Sequence, residues 1–233
     1  MTNKAVNDIL RKLRENPYTL GDVFEFIFQG IATSKDDVYF LYNCTEVDDD
    51  YIEGLSKSLN KRVKIEKGLV KPLLKGEDVH RYEMLNSGKF IIFPYKVVAH
   101  KAVLYTTSEL AKMYPLGFEY LCQCEHELRG REKGRFNNDK WFQYGRNQGI
   151  GYGNIPKLVA PEISLGGNYT FDANGHYYST TTVYGYIKRN NFKESYYTYM
   201  AILNSQLCWW FLVNTGTVLA NGYYRSLVST KIC

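Results

Sequence analysis

Apolar residues recur along this chain with two different periods, and each period predicts a different kind of element. The first set recurs at helical spacing and should form a helix that ends at Asn16-Pro17. Its members are Ala5, Val6, Ile9, Leu10 and Leu13. Alternating apolar positions predict strands at 23–28 and 38–42, and a continuous apolar run predicts a buried strand at 90–95, which stops at a proline.

The middle of the chain carries weaker patterns. The polar stretch 53–62 suggests a short helix, and 67–83, rich in glycine, proline and charge, suggests a connector made mostly of loop. Residues 107–132 predict two helices that are broken near Pro115, and 156–163 predicts a strand between two prolines.

The last third of the chain combines a hairpin signal with a helix signal. Asn174-Gly175 stands between aromatic and β-branched residues, which predicts a hairpin with a type I′ turn. Residues 196–216 predict one long helix that ends near Gly216. Because helices and strands do not alternate regularly, we expect an α+β fold of mixed, mostly antiparallel sheets with flanking helices.

Composition and charge narrow the class of protein only moderately. The 233 residues suit one large domain or two small ones, and the net charge of +5 is compatible with a nucleic-acid partner. Aromatic residues reach 15%, with 21 tyrosines, which are common both at recognition surfaces and in strands. The N-terminus lacks the apolar core of a signal peptide. We therefore expect a cytoplasmic protein with no membrane partner.

The cysteines favour reduced thiols over disulfides or zinc. Their number, five, is odd in a chain without a secretory signal. Cys122, Cys124 and His126 lie close in sequence, but their spacing differs from that of zinc half-sites. They fall in a predicted helix, where residues two apart point to different faces. The expectation is a chain that holds no metal.

Signatures of catalysis are missing from the sequence. It contains no phosphate-binding glycine fingerprint, no HExxH and no nucleophile elbow, and its four histidines are far apart. A metal-dependent DNA nuclease stays an alternative, although its carboxylate cluster cannot be assembled from this chain. A second alternative is a carbohydrate-binding module that uses the abundant aromatic rings. We expect no catalytic residue in the chain itself.

The segment from Arg129 to Lys157 has the composition of a nucleic-acid-binding element. Cations, which neutralise phosphates, are interleaved with aromatic rings and with amides that can read adenine edges. Glycines at 145, 149, 151 and 153 would allow close approach of a ligand to the backbone. The predicted DNA-binding residues are Arg129, Arg131, Lys133, Arg135, Lys140, Trp141, Tyr144, Arg146, Gln148 and Lys157.

Different roles are expected within this segment. Arg131, Lys133, Arg135 and Lys140 are candidates for phosphate contacts. Arg146 and Gln148 are candidates for base edges, with Tyr144 stacking or packing beside them. The alternative is that Trp141 and Arg146 brace the fold instead.

Seven segments, in order, resemble those of one protein family. They are Leu20–Leu41, Val70–Tyr82, Phe90–Tyr95, Tyr114–Glu132, Asp139–Gln148, Pro156–Ile163 and Ala201–Ser205. The ordered set is similar to the TaqI-type C-terminal specificity domain of adenine-specific DNA methyltransferases and type IIG restriction-modification enzymes. The resemblance gives Gly30, Pro94 and Asn204 a role in the scaffold of such a domain, and none in contacting bases.

The resemblance implies a domain that recognises a target sequence in double-stranded DNA. Its partner would be a methyltransferase domain, with or without a nuclease, in the same parent protein. That domain would bind S-adenosylmethionine and act on an adenine flipped out of the duplex. Its (N/D)PP(Y/F) motif is missing from this sequence. Residues 1–17 would then be a helix or linker from the catalytic domain, and 18–233 the recognition domain.

Overall fold

Nine helices and fourteen strands form the part of the chain that the computed structural model describes, residues 4–147, 149–216, 218–219 and 222–225. The helices are α1 Lys4–Arg14, α2 Leu20–Val23, α3 Asp36–Tyr39, α4 Thr107–Met113, α5 Pro115–Gln123, α6 Glu125–Arg129, α7 Arg131–Gly134, α8 Tyr196–Leu203 and α9 Gln206–Thr215. The strands are β1 Phe24–Gln29, β2 Phe40–Glu46, β3 Tyr51–Ser56, β4 Lys61–Glu66, β5 Val70–Leu74, β6 Phe90–Ile92, β7 Tyr95–Val98, β8 Lys101–Leu104, β9 Lys157–Pro161, β10 Ile163–Ser164, β11 Thr170–Asp172, β12 Tyr178–Ser179, β13 Val183–Lys188 and β14 Tyr224–Arg225.

The larger sheet has six strands in the order β12-β5-β6-β2-β3-β4. Its strands pair antiparallel except for the parallel pair β12–β5. The largest hydrophobic core lies against it, with Tyr39, Leu41 and Ile65 fully buried under helix α5 and the segment 141–150. Glu66 fixes the start of α5, because its carboxylate accepts from the backbone N–H groups of Leu116 and Gly117 at 2.8 and 2.9 Å.

A second, four-stranded antiparallel sheet has the order β1-β13-β9-β11. Helix α8 packs against it over a core that includes Phe24, Leu158 and Tyr186. The strand β12 connects the two sheets, since it lies between β11 and β13 in sequence but pairs with β5. The two smaller sheets are the hairpin β7–β8 and the pair β10–β14.

The α+β prediction is confirmed, and so are several of its elements. Helix α1 and strands β1 and β9 occupy the expected stretches, whereas β6 ends at Ile92 and β2 begins at Phe40, after the helix α3. The helical region breaks at Pro115 as predicted, but it consists of the four helices α4 to α7 rather than two. The proposed division at residue 17 stays a prediction. Helix α1 buries Leu10 in this structure.

Three predictions about elements were wrong. Residues 53–62 form the end of β3, a turn and the start of β4. In β3, Ile52, Gly54 and Ser56 are buried while the residues between them are partly exposed, which is the alternation of a strand. The predicted connector 67–83 contains β5, a strand inside the six-stranded sheet. The long C-terminal helix is two helices separated at Asn204-Ser205.

The predicted hairpin at Asn174-Gly175 was also wrong. Gly175 does adopt a positive φ of 60°, but Asn174 does not, so the turn is not type I′. Asp172 redirects the chain, because its carboxylate accepts from the backbone N–H groups of His176 and Tyr177 at 2.9 and 3.0 Å. The following strand, β12, therefore leaves for the other sheet.

Within the described part of the chain, none of the helices is both long and apolar enough to cross a membrane.

Candidate nucleic-acid interface

The buried side chain of Arg131 organises the segment that the sequence singled out. Its guanidinium donates to the carbonyl oxygens of Leu128 at 2.9 Å, Thr33 at 2.7 Å and Trp141 at 2.7 Å, and to that of Gln143 at 2.8 Å. The face of the Phe136 ring lies 4.1 Å from it. One side chain thereby joins the end of α6, the loop after β1 and the segment 141–143.

The backbone beside Arg131 is strained. Glu132 and Lys133 adopt left-handed φ values of 47° and 61°, followed by Gly134 at 84°. A left-handed residue other than glycine costs about 1–2 kcal/mol. The Glu132 carboxylate accepts from the Ser34 hydroxyl at 2.7 Å, and Ser34 is itself left-handed at 61°. This contact ties the strained turn to the loop after β1.

Three more residues of the predicted set lie inside the protein. Trp141 and Tyr144 are 4% and 2% exposed, and the Tyr144 hydroxyl donates to the carbonyl of Ile92 at 2.5 Å. Lys157 is 1% exposed and donates to the Asp172 carboxylate at 2.7 Å. Burial lowers the pKa of Lys157, and the charge of Asp172 partly offsets this.

The interpretation of Arg131, Trp141, Tyr144 and Lys157 as DNA contacts is therefore corrected. Each is buried, and the polar groups of Arg131, Tyr144 and Lys157 already bond to groups of the protein. The sequence alone does not show whether a cationic side chain faces solvent or a cluster of internal carbonyl oxygens. These four residues build the scaffold on which the exposed members of the segment stand.

The exposed members are a smaller set. Lys133, Arg135, Lys140 and Arg146 are exposed, whereas Arg129 is partly buried and bonded to Glu125 at 2.7 Å. Arg135 pairs with Glu132 at 3.0 Å, and no salt bridge to a described residue involves the other three exposed cations. Gln148 lies outside the described residues. Whether these residues contact DNA stays a prediction.

The glycines of the segment serve internal packing. A Cβ on Gly145 would lie 1.9 Å from the Ser34 hydroxyl oxygen, and one on Gly151 would lie 1.8 Å from the carbonyl oxygen of His100. One on Gly153 would lie 2.3 Å from the Tyr178 ring. These glycines let other parts of the same chain approach, so their reading as ligand-approach sites is corrected.

A polar cleft of about 250 Å³ is lined by two of the exposed cations, Arg135 and Arg146. Its polar lining consists of Arg135, Asn138, Gln143, Arg146 and Asn147, and the buried rings of Phe136 and Tyr144 lie behind them. The backbone of Arg146 is held in place by a bridge to Ala32, with its N–H donating to the Ala32 carbonyl at 3.0 Å. The side chain is thus presented from a fixed backbone.

The internal hydrogen bonds of this cleft orient Asn147 so that its donor groups stay available. The N–H of Tyr144 donates to the Tyr95 hydroxyl at 2.6 Å, and that hydroxyl donates to Oδ1 of Asn147 at 3.2 Å. The Asn147 amide is left with its two N–H donors. Together with the two guanidinium groups, they offer donors to an acceptor such as a guanine edge or a phosphate.

Sequence reasoning missed Gln143 and Asn147 as lining residues, together with the positioning role of Tyr95. Their amides stood in the same segment, but nothing in the order of residues separates a lining amide from a solvated one. Tyr95 is about fifty positions away in sequence, so only the fold brings it to Asn147.

Cys122 and Cys124 differ in environment, as the helical argument expected. Cys122 is exposed, whereas Cys124 is buried with its sulfur 3.8 Å from the Ser58 hydroxyl. Among the described residues, no three His, Cys, Asp or Glu side chains are grouped in a way that could hold a metal ion.

Comparison with known proteins places this fold in a family. Over 230 residues, 92% of this chain, the sequence is 26% identical to an Escherichia coli protein, the type II restriction enzyme and methyltransferase RM.Eco57I. The match covers 23% of that relative, so the chain spans about a quarter of its length. The family model of the TaqI-like C-terminal specificity domain matches residues 71–230. The chain therefore belongs to the family of TaqI-like C-terminal specificity domains.

Proposed function

We propose that this chain recognises a target sequence in double-stranded DNA through the polar cleft lined by Arg135, Arg146 and Asn147. The observation that carries the proposal is the convergence of side chains with donor groups in one cleft held by a rigid internal scaffold. Sequence readout needs donors and acceptors in fixed positions, because base edges are distinguished by hydrogen-bond geometry. The Arg131 cluster and the Tyr95–Asn147 contact supply that rigidity.

Roles within the exposed surface follow from position. Lys133 and Lys140 lie on exposed stretches beside the cleft and are assigned to phosphates, which fix register without carrying sequence information. Arg146 lies in the cleft wall and is assigned to a base edge. The Glu132 carboxylate already neutralises part of the charge of Arg135, so the cleft is assigned to a neutral base edge rather than to a phosphate.

The partner of this domain is proposed to be a methyltransferase domain of a parent protein. The relative in Escherichia coli is named as both a restriction enzyme and a methyltransferase. S-adenosylmethionine would bind to that other domain, and the present chain would position the DNA for it without catalysing methyl transfer. A nuclease activity in the parent would likewise belong to another part of the protein.

Binding of Arg146→Ala to DNA tests the recognition surface. A labelled duplex selected from a random-sequence pool by the wild-type chain serves as the probe, with a scrambled duplex beside it. The binding free energy of the variant for the selected duplex should be weaker by about 1–3 kcal/mol, and the variant should discriminate less between bases at one position. Arg14→Ala, an exposed arginine on α1, is the matched control. Normal melting with full discrimination by Arg146→Ala would refute the assignment.

Methyl transfer by the isolated chain tests the other half of the proposal. The chain is incubated with labelled S-adenosylmethionine and mixed-sequence duplex DNA, and the label in DNA is counted. No transfer is expected. Stoichiometric binding of S-adenosylmethionine in a calorimeter would contradict the proposal, because it would place the cofactor site in this chain.

A further inference from the structure

A second concave surface lies on the other side of Tyr95, between the start of β5 and the hairpin β7–β8. It is a groove of about 670 Å³, lined by Lys71 and Lys96 together with aromatic rings that include Tyr105, Tyr114 and Tyr178. None of the residues predicted from the sequence to bind DNA lines it. It is also separate from the polar cleft described above, which has a different lining.

Lys71 has no ion-pair partner among the described residues, although the Glu46 carboxylate lines the same groove. The side chain is partly buried, yet no described carboxylate lies within salt-bridge distance of it and no described acceptor bonds to it. Burial alone lowers its pKa below the ordinary value of 10.5, with no neighbouring charge to offset the effect. A partly buried ammonium group without a partner is unfavourable, and an anion brought by a ligand would remove the penalty.

The other lysines of the groove are already neutralised. Lys67 donates to the Glu46 carboxylate at 2.9 Å, and Lys96 pairs with Glu109. Lys71 is therefore the cation that remains available to an incoming anion among the described lining residues. Asn154 and His176 line the groove as well, and both are exposed, so their side chains can add hydrogen bonds to such a group.

Tyr95 connects the groove to the cleft. It is one of the residues that line the groove, while its hydroxyl bonds to the backbone of Tyr144 and to Asn147, both in the wall of the cleft. Tyr95 thus joins the wall of the groove to the wall of the cleft. A small free anion would occupy only the groove.

We propose that the groove binds a phosphodiester of the DNA held at the cleft, with Lys71 as its cationic contact. The proposal rests on the proposed function, because the anion is assigned to the same DNA. Lys71 acts in positioning, since phosphate contacts fix register and carry no base information. The aromatic walls give the adjoining deoxyribose an apolar surface to lie against.

The test is the salt dependence of DNA binding by Lys71→Gln and by Lys71→Met, measured as fluorescence anisotropy of a mixed-sequence duplex. If one phosphate contact is lost, the slope of log K against log salt should decrease in magnitude by ~0.9. Lys71→Arg, which keeps the charge, should retain the slope of the wild-type chain. Lys12→Gln, at an exposed lysine on α1, is the matched control and should behave as wild type.

Folding and the identity of the anion are checked in parallel. Both neutral variants should melt at or above the wild-type temperature, because no internal contact of the ammonium group is lost. If one of them fails to fold, the other still provides the measurement. Unchanged slopes in the neutral variants would overturn the proposal while leaving DNA recognition intact. Inorganic phosphate that raises the melting temperature of the wild type alone, with DNA slopes unchanged, would overturn it in favour of a small free anion. Failure of the wild-type chain to bind duplex DNA would overturn both this proposal and the proposed function.

Discussion

At the scale of the residue, the buried side chain of Arg131 holds together the chain segments that form the candidate interface. Its planar guanidinium has five donors, and four carbonyl oxygens from three stretches of chain accept from it. A lysine could not replace this fork, because an ammonium group is a compact point charge. The buried arginine therefore explains why the loop after β1 and the segment 141–143 meet.

Arg131→Ala should lower the free energy of unfolding by about 3–5 kcal/mol, since it leaves several buried carbonyls without a donor. Urea denaturation followed by circular dichroism measures the change. Lys133→Ala is the control, because Lys133 is exposed and its substitution should change stability by less than about 0.5 kcal/mol. Equal stability of the two variants would mean that the Arg131 contacts contribute nothing.

The buried pair Lys157–Asp172 is a second determinant at this scale. Lys157 also donates to the carbonyl of Gly153 at 2.7 Å, and Asp172 holds the turn that sends β12 to the other sheet. Asp172→Asn should destabilise the chain by about 3–5 kcal/mol, because it leaves a buried ammonium without its counter-ion. Thermal melting of Asp172→Asn beside Asp139→Asn, at an exposed position, measures it; indistinguishable melting curves would argue against an energetic role for the pair.

At the scale of elements, the sequence predicted those whose pattern is local and missed those that depend on a distant neighbour. The helix α1 and strands β1 and β6 have clear periods and were predicted. β12 was assigned to a hairpin because the turn signal at Asn174-Gly175 is local, whereas its true partner, β5, is about a hundred residues away. The polar residues of β3 and β4 face solvent, so their alternation resembled a polar helix.

The candidate site was also predicted only in part from the sequence. The segment from Arg129 to Lys157 supplies every residue that lines the cleft, but composition could not separate exposed cations from buried ones. Arg131 and Arg135 are four positions apart and differ completely in environment. Tyr95 and Lys71, which come from other elements, carried no signal that connected them to this segment.

The hairpin β7–β8 is fastened to the segment 149–153 by close packing, which makes an element-scale prediction. A Cβ on Gly151 would lie 1.8 Å from the backbone carbonyl oxygen of His100, so Gly151→Ala must displace the hairpin or the segment. The loss in stability should be about 1–3 kcal/mol, as for overpacked sites. Gly130→Ala is the matched control: its Cβ would meet nothing closer than 3.4 Å, and its φ is −72°. Similar melting temperatures for the two variants would contradict the packing argument.

At the scale of the whole molecule, the core of each large sheet contains deeply buried tyrosines. Tyr39 and Tyr144 lie in the core of the six-stranded sheet, and Tyr186 lies in that of the four-stranded sheet. Burial raises the pKa of all three above the usual value of 10.0. The stability of both cores therefore depends on alkaline pH through the same kind of group. Among the described lysines, burial lowers the pKa of Lys71 and of Lys157.

The sign of this coupling follows from proton binding. Above pH 10 the unfolded chain loses its phenolic protons while the folded chain keeps them, so stability falls as pH rises. Each such tyrosine contributes a decrease of about 1.4 kcal/mol per pH unit, and each lysine with a lowered pKa contributes in the opposite direction until pH reaches its ordinary value of 10.5. We expect the chain to unfold cooperatively in alkali, with both sheets lost together. Urea denaturation at stepwise alkaline pH, with tyrosinate absorbance followed in parallel, measures it. Complete ionisation of the tyrosines near pH 10 in a chain that stays folded would contradict the buried, proton-retaining state of these side chains.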